Sequence, residues 1–183
     1  MARIPLVPLD LKEPEALVSA IRKRRGGELS DLDRLLLQSP ALAEGWNTFL
    51  GAVRQRLSLA PKLREIVMCS VAVLNGAEYE FFHHAPEFIK AGGTQAQVDA
   101  MQDVDAALDN TAAFDELERA VLRLTYEMTK QVSVNAATLE KARSLLGNEQ
   151  AAVELVATIA AYNMVSRVVV ACAISPEMRY AKK

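Results

Sequence analysis

The chain has 183 residues, of which 51% are hydrophobic, 24% charged and 5% aromatic, which suits one domain with ample material for a core and excludes a disordered chain. Its 21 lysines and arginines against 23 aspartates and glutamates leave a formal charge of −2, so there is no cationic surplus to neutralise a phosphate backbone and no nucleic-acid partner is expected. The charge-free stretches 66–77 and 155–166 fall short of the roughly 18 apolar residues of a membrane span, and no membrane partner is expected.

Residues 4–9 carry two prolines and are closed by Asp10, which does not read as a secretory apolar segment, so the expected location is cytoplasmic. Apolar residues then recur at helical spacing almost throughout, with recognisable caps between the runs, and the fold class expected is all-α. A first helix follows Pro14 and ends in Arg22-Lys23-Arg24-Arg25 before Gly26-Gly27. Cations in a last turn complement the helix dipole and glycine ends a helix, so this basic run reads as a helix stop. Ser30 with Asp33 opens a short helix, and Ser39 before Pro40 opens another whose Trp46, Phe49, Leu50, Val53 and Leu57 share one apolar face. Pro61 starts a helix that stops at Asn75-Gly76, a further one runs from about Ala77 to Gly92-Gly93, and Thr94 with Gln97 forms a capping box. Residues 104–113 read as a connecting loop. Asp115 with Glu118 begins a strongly periodic helix, Asn135 precedes one that ends at Gly147, and Asn148 caps a last long helix reaching about Ala173. Cys69 and Cys172 lie far apart in apolar runs and imply no disulfide.

The helix from Pro61 is apolar nearly all round, and Glu65 projects among Met68, Cys69 and Ala72, where a carboxylate needs a cation, a donor or a wet cavity. Complementing the helix N-terminus is the other reading of Glu65. On the next helix Glu80 and His84 stand one turn apart beside the core arc, a pairing that raises the basicity of an imidazole and fixes its tautomer, as general acid/base chemistry requires. An ordinary surface pair is the alternative. His83 projects away from that arc and reads as solvated. In the last helix Tyr162, Asn163 and Arg167 are the large polar groups; a guanidinium there wants a carboxylate, from Glu65, another buried acid or a bound substrate. Glu80-x-x-His83 has the spacing of di-iron bundles, but two adjacent histidines in the whole chain do not make a second copy, so no metal is expected. No phosphate loop, nucleophile elbow or Cys-x-x-Cys appears, and no cofactor is expected.

The stretch Leu63-Arg64-Glu65-Ile66-Val67, followed by Leu74-Asn75-Gly76-Ala77-Glu78-Tyr79-Glu80-Phe81-Phe82-His83-His84, resembles the carboxymuconolactone decarboxylase family, which includes the alkylhydroperoxidase D type of thiol peroxidase. Tyr162-Asn163-Met164-Val165-Ser166-Arg167 is similar to that family's last core helix, so the resemblance covers about 46–174 and leaves 1–45 as an N-terminal helical extension of a single domain, 1–183. The peroxidase branch carries Glu, eleven residues, Cys, two residues, Cys, three residues, His. Here Glu65 and His84 hold the outer positions, but Ala77 and Glu80 replace the cysteines, and neither can attack a peroxide or resolve a sulfenic acid. The resemblance is therefore to the cysteine-free, decarboxylase-like branch. It implies an all-helical bundle of the alkylhydroperoxidase D-like type and a homo-oligomer (dimer, trimer or hexamer). Its expected activity is acid/base decarboxylation or isomerisation of a small organic acid or lactone, with Glu65, Glu80 and His84 catalytic and Tyr162, Asn163 and Arg167 binding substrate. A peroxidase-related redox protein and a non-catalytic binding or assembly protein on the same scaffold are the alternative readings.

Overall fold

Side-chain caps open most of the helices in the computed structural model, which describes residues 2–176. Reciprocal capping boxes join Ser30 to Asp33, Thr94 to Gln97 and Asp115 to Glu118, while Asn135 and Asn148 each accept a single backbone N–H. The helices are α1 (Glu15–Arg25), α2 (Asp31–Leu36), α3 (Pro40–Gln55), α4 (Pro61–Leu74), α5 (Glu78–Lys90), α6 (Gln95–Ala100), α7 (Val104–Ala107), α8 (Glu116–Lys130), α9 (Ala136–Leu146) and α10 (Glu149–Ala171). No strand occurs among the described residues. The all-α expectation holds, with two local differences. Ser39 makes no side-chain cap, and α3 starts on its proline alone. The expected loop 104–113 contains α7, because the Asp103 carboxylate accepts the Ala106 N–H at 3.1 Å and nucleates a turn.

The centre of the bundle is α4, packed against α5, α8 and α10. Ile66, Val67, Met68, Cys69 and Val71 are fully buried along it, and each large apolar side chain removed from water contributes about 1.5–3 kcal/mol. Burial pushes the Cys69 thiol well above its usual range, with the nearby Glu65 charge acting in the same sense, so Cys69 behaves as a core hydrophobe. Trp46, Leu50 and Val53 turn α3 inward, whereas Phe49 is 47% exposed and Leu57 lies beyond the helix end, so the apolar face of α3 is narrower than its spacing predicts.

Gly76, at φ 65°, makes the sharp turn after α4, and α5 returns along α4 from there. That hairpin carries the N-terminal half of α4 and the middle of α5 to the same level. At the far end of α5, Gly93 lies on the buried Phe88 ring, where a Cβ would come within 2.2 Å. By length and composition α10, with 23 residues, is apolar enough to cross a bilayer; in this fold it packs against α3, α4, α8 and α9 as a core helix.

Candidate active site

Tyr79, Glu80, His84 and Phe88 form the buried side of α5. Glu80 is 3% and His84 8% exposed, so the pair is no surface feature. The residue between them in register, His83, is exposed and stands edge-on to the Tyr79 and Phe82 rings at 4.4 and 5.3 Å.

Three helices converge on His84. Its Nδ1 lies 2.7 Å from Glu65 Oε2 on α4. Its Nε2 lies 3.1 Å from the Tyr162 hydroxyl on α10 and 3.4 Å from Glu80 Oε2 on its own helix. The sequence suggests Glu80 as the partner that fixes the imidazole, but Glu65 makes the shorter contact, because the hairpin places the N-terminal half of α4 against the ring. Burial is the largest influence on His84 and opposes its charge; the hydrogen bonds and charges of Glu65 and Glu80 outweigh it, and the pKa is raised. Glu80 shows the mirror behaviour. Burial opposes its ionisation, yet the His84 contact and the positive charges of His84 and Arg54 hold its pKa below the usual value. The centre thus sets between Glu65 and Glu80 an imidazole whose charged form the two acids favour.

Sequence reasoning missed Arg54. From α3 its Nε donates to the Tyr162 hydroxyl at 2.7 Å, and its guanidinium lies 5.6 Å from the centre of the Tyr162 ring. Burial raises the phenol pKa, and Arg54 opposes this without reversing it, so Tyr162 stays neutral and links Arg54 to His84.

The basic run ending α1 also has a second use. Arg25 meets Asp33 through Nε at 2.9 Å and Nη2 at 3.3 Å, and Arg24 reaches the same carboxylate through Nη2 at 3.3 Å while donating Nε to Asn47 Oδ1 at 2.6 Å. Burial and then the neighbouring Arg25 lower the Arg24 pKa to about 10. The dipole argument accounts for where α1 ends, but two of its four cations face a cavity.

That cavity, about 450 Å³, is lined by Glu65, Glu80, Glu87, His83 and His84 together with Arg24, Arg25 and Arg54. It has the size of a small-molecule site. Of the expected site residues, Glu65, Glu80 and His84 line it and Tyr162 lies behind His84. Asn163 and Arg167 do not reach it: Asn163 binds Asn75 and Thr129, and the exposed Arg167 folds back on the Asn163 carbonyl and side chain at 2.8 and 2.6 Å. The open outer side of α10 explains this placement, since a solvated guanidinium needs no buried acid. Among the described residues no group of three or more His, Cys, Asp and Glu side chains is arranged to hold a metal ion.

Residues 40–125 match the carboxymuconolactone decarboxylase family, so the family resemblance read from the sequence is shown over that segment. No curated protein matches the chain. Solved structures with a similar fold include an alkylhydroperoxidase-core, peroxidase-related protein from Ralstonia eutropha JMP134 (TM-score 0.80, 17% identity, 98% of this chain and 94% of that one). Another is a peroxidase-related protein from Silicibacter sp. TM1040 (0.78, 16%, 99% and 93%). A third is a cysteine-to-alanine variant of the debrominase Bmp8 in complex with 2,3,4-tribromopyrrole (0.79, 18%, 97% and 95%). At these identities the likeness shows the fold alone.

Proposed function

From the carboxymuconolactone decarboxylase family match of residues 40–125, we propose that the protein is a cofactor-independent acid/base enzyme that decarboxylates or isomerises a small organic acid or lactone. One observation carries this reading: a buried imidazole with a carboxylate toward each nitrogen lines a cavity that three arginines also line. In the decarboxylation, the bond between the carboxylate carbon and its neighbour breaks, carbon dioxide leaves, and the electron pair passes into the conjugated system as a dienolate. His84 returns a proton from Nε2 to the carbanionic carbon. Glu65 holds Nδ1 and stabilises the imidazolium, Glu80 and Tyr162 orient Nε2, and Arg54 stabilises the negative charge of the dienolate. The peroxidase reading lacks its chemistry, because Ala77 is fully buried beside α4 and the Cys69 thiol is held protonated in the core.

The test is to incubate purified protein with a panel of small carboxylic acids and lactones and follow carbon dioxide release and ring absorbance. Turnover is expected, falling about a hundredfold or more in Glu65→Gln. Hydroperoxide reduction with a thiol reductant, abolished by Cys69→Ser or Cys172→Ser, would overturn the reading.

The same proposal places the protein in the cytoplasm as a homo-oligomer. Phe49, Phe82, Ile89, Met164 and Val170 are 39–47% exposed, apolar surface of the kind that subunit contacts cover. Light scattering at micromolar concentration should give a multiple of 20.0 kDa; a monomer would contradict this.

A further inference from the structure

Three arginines, Arg24, Arg25 and Arg54, line the cavity beside Glu65, Glu80 and Glu87. Glu65 and Glu80 are turned to His84, and Glu87 is paired with Lys90 at 2.6 Å. Asp33 is already saturated, since it accepts from the Ser30 N–H, from two nitrogens of Arg25 and from Arg24.

The way each guanidinium is anchored shows which donors are unspent. Arg25 spends Nε and Nη2 on Asp33, a fork on a carboxylate. Arg24 and Arg54 differ: each donates its Nε to a neutral oxygen, Asn47 Oδ1 at 2.6 Å and the Tyr162 hydroxyl at 2.7 Å. Such an Nε bond fixes the plane of the guanidinium and leaves the Nη edge unspent. Apart from the single long bond from Arg24 Nη2 to Asp33, their Nη donors meet no acceptor among the described residues. Both side chains line the cavity.

We infer that Arg24 and Arg54 form an anion clamp that takes a carboxylate group of the ligand on their unspent Nη donors. The inference rests on the acid/base reading of the same cavity for its biological meaning, and it makes α1, which precedes the matched segment 40–125, a specificity element. A planar carboxylate suits the planar forks, whereas a spherical anion satisfies only the charge. The depressed Arg24 pKa agrees, since a partly buried cation crowded by Arg25 gains from an added anion.

Titration calorimetry with malonate and with chloride at low salt tests the clamp without turnover. Malonate should bind the wild type, and Arg24→Gln and Arg54→Gln should each weaken it about tenfold, the loss of a charge-assisted pair. Arg24→Lys should weaken it too, because the charge remains and the fork does not, while Arg123→Gln on the exposed side of α8 should leave it unchanged. Arg24 sits at the edge of the bundle, so its two variants decide the matter even where Arg54→Gln fails to fold. Unchanged malonate affinity in Arg24→Gln overturns the clamp, as does chloride binding as tightly as malonate. Malonate binding that depends on Arg24 in a protein that turns over no acid or lactone would leave the clamp standing and remove the enzymatic reading.

Discussion

Replacing His84 with alanine is expected to cost about 3 kcal/mol or more of stability and at least about a hundredfold in turnover. The stability loss follows from what is left behind: Glu80 and Glu65, with side chains 4% and 16% exposed, would face each other without the imidazolium, and removing one partner of a buried ion pair typically costs about 3–5 kcal/mol. The turnover loss follows from removing the proposed proton donor, since a positioned histidine contributes roughly a hundred- to ten-thousand-fold. His83→Ala is the matched control. His83 is exposed, stands against aromatic edges and lines the cavity without bonding to Glu65 or Tyr162 as His84 does, so its loss should cost about 1 kcal/mol or less and leave most of the turnover. Urea unfolding and single-substrate kinetics on the two variants read both quantities. Equal losses in the two would dismantle the assignment of the centre to His84.

A second large effect is expected in the pH dependence of stability. The folded-state pKa of His84 is raised above its ordinary 6.5, so its contribution is fully present below pH 6.5 and is lost as pH rises through the elevated value. For Glu80, held below its ordinary 4.5, the contribution is present above pH 4.5 and is lost as pH falls through the depressed value. Both act at full strength between pH 4.5 and 6.5. The wild type should therefore lose stability from about pH 6.5 upward, and the His84→Gln variant should lack that alkaline decline. Urea titrations of both proteins at about pH 5.5, 7.5 and 9 check it. Parallel curves for the two would show that His84 is not the charged centre of the cluster.

The helices were legible in the sequence because capping boxes and glycine stops are local: Thr94 with Gln97, or Asp115 with Glu118, need nothing beyond four consecutive residues. Glu65 and His84 were legible too, as an unusual acid in an apolar helix and a histidine beside a core arc. Their direct contact was not, since it depends on how far α5 slides along α4. Arg54 left no local trace. It follows Val53 on an ordinary amphipathic helix, and what singles it out is Tyr162, far along the chain. Arg24 and Arg25 carried a sufficient local explanation, which concealed their part in the cavity wall. Arg167 was misjudged for the opposite reason: the apolar girth of α10 suggested complete burial, whereas one side of it faces solvent and lets the guanidinium close on Asn163.

The contacts that complete the cluster join residues far apart in order of synthesis: Tyr162 bonds to Arg54 across 108 positions and to His84 across 78. Closing such spans is entropically costly and slow compared with forming single helices. A growing or truncated chain that ends before Tyr162 can build the α4 and α5 hairpin and bring Glu65 to His84, yet Arg54 and the second imidazole nitrogen would each lack their hydroxyl partner. The hydrogen-bonded cluster is thus complete only once the final helix has docked, and any detachment of α10 removes the hydroxyl that joins Arg54 to His84.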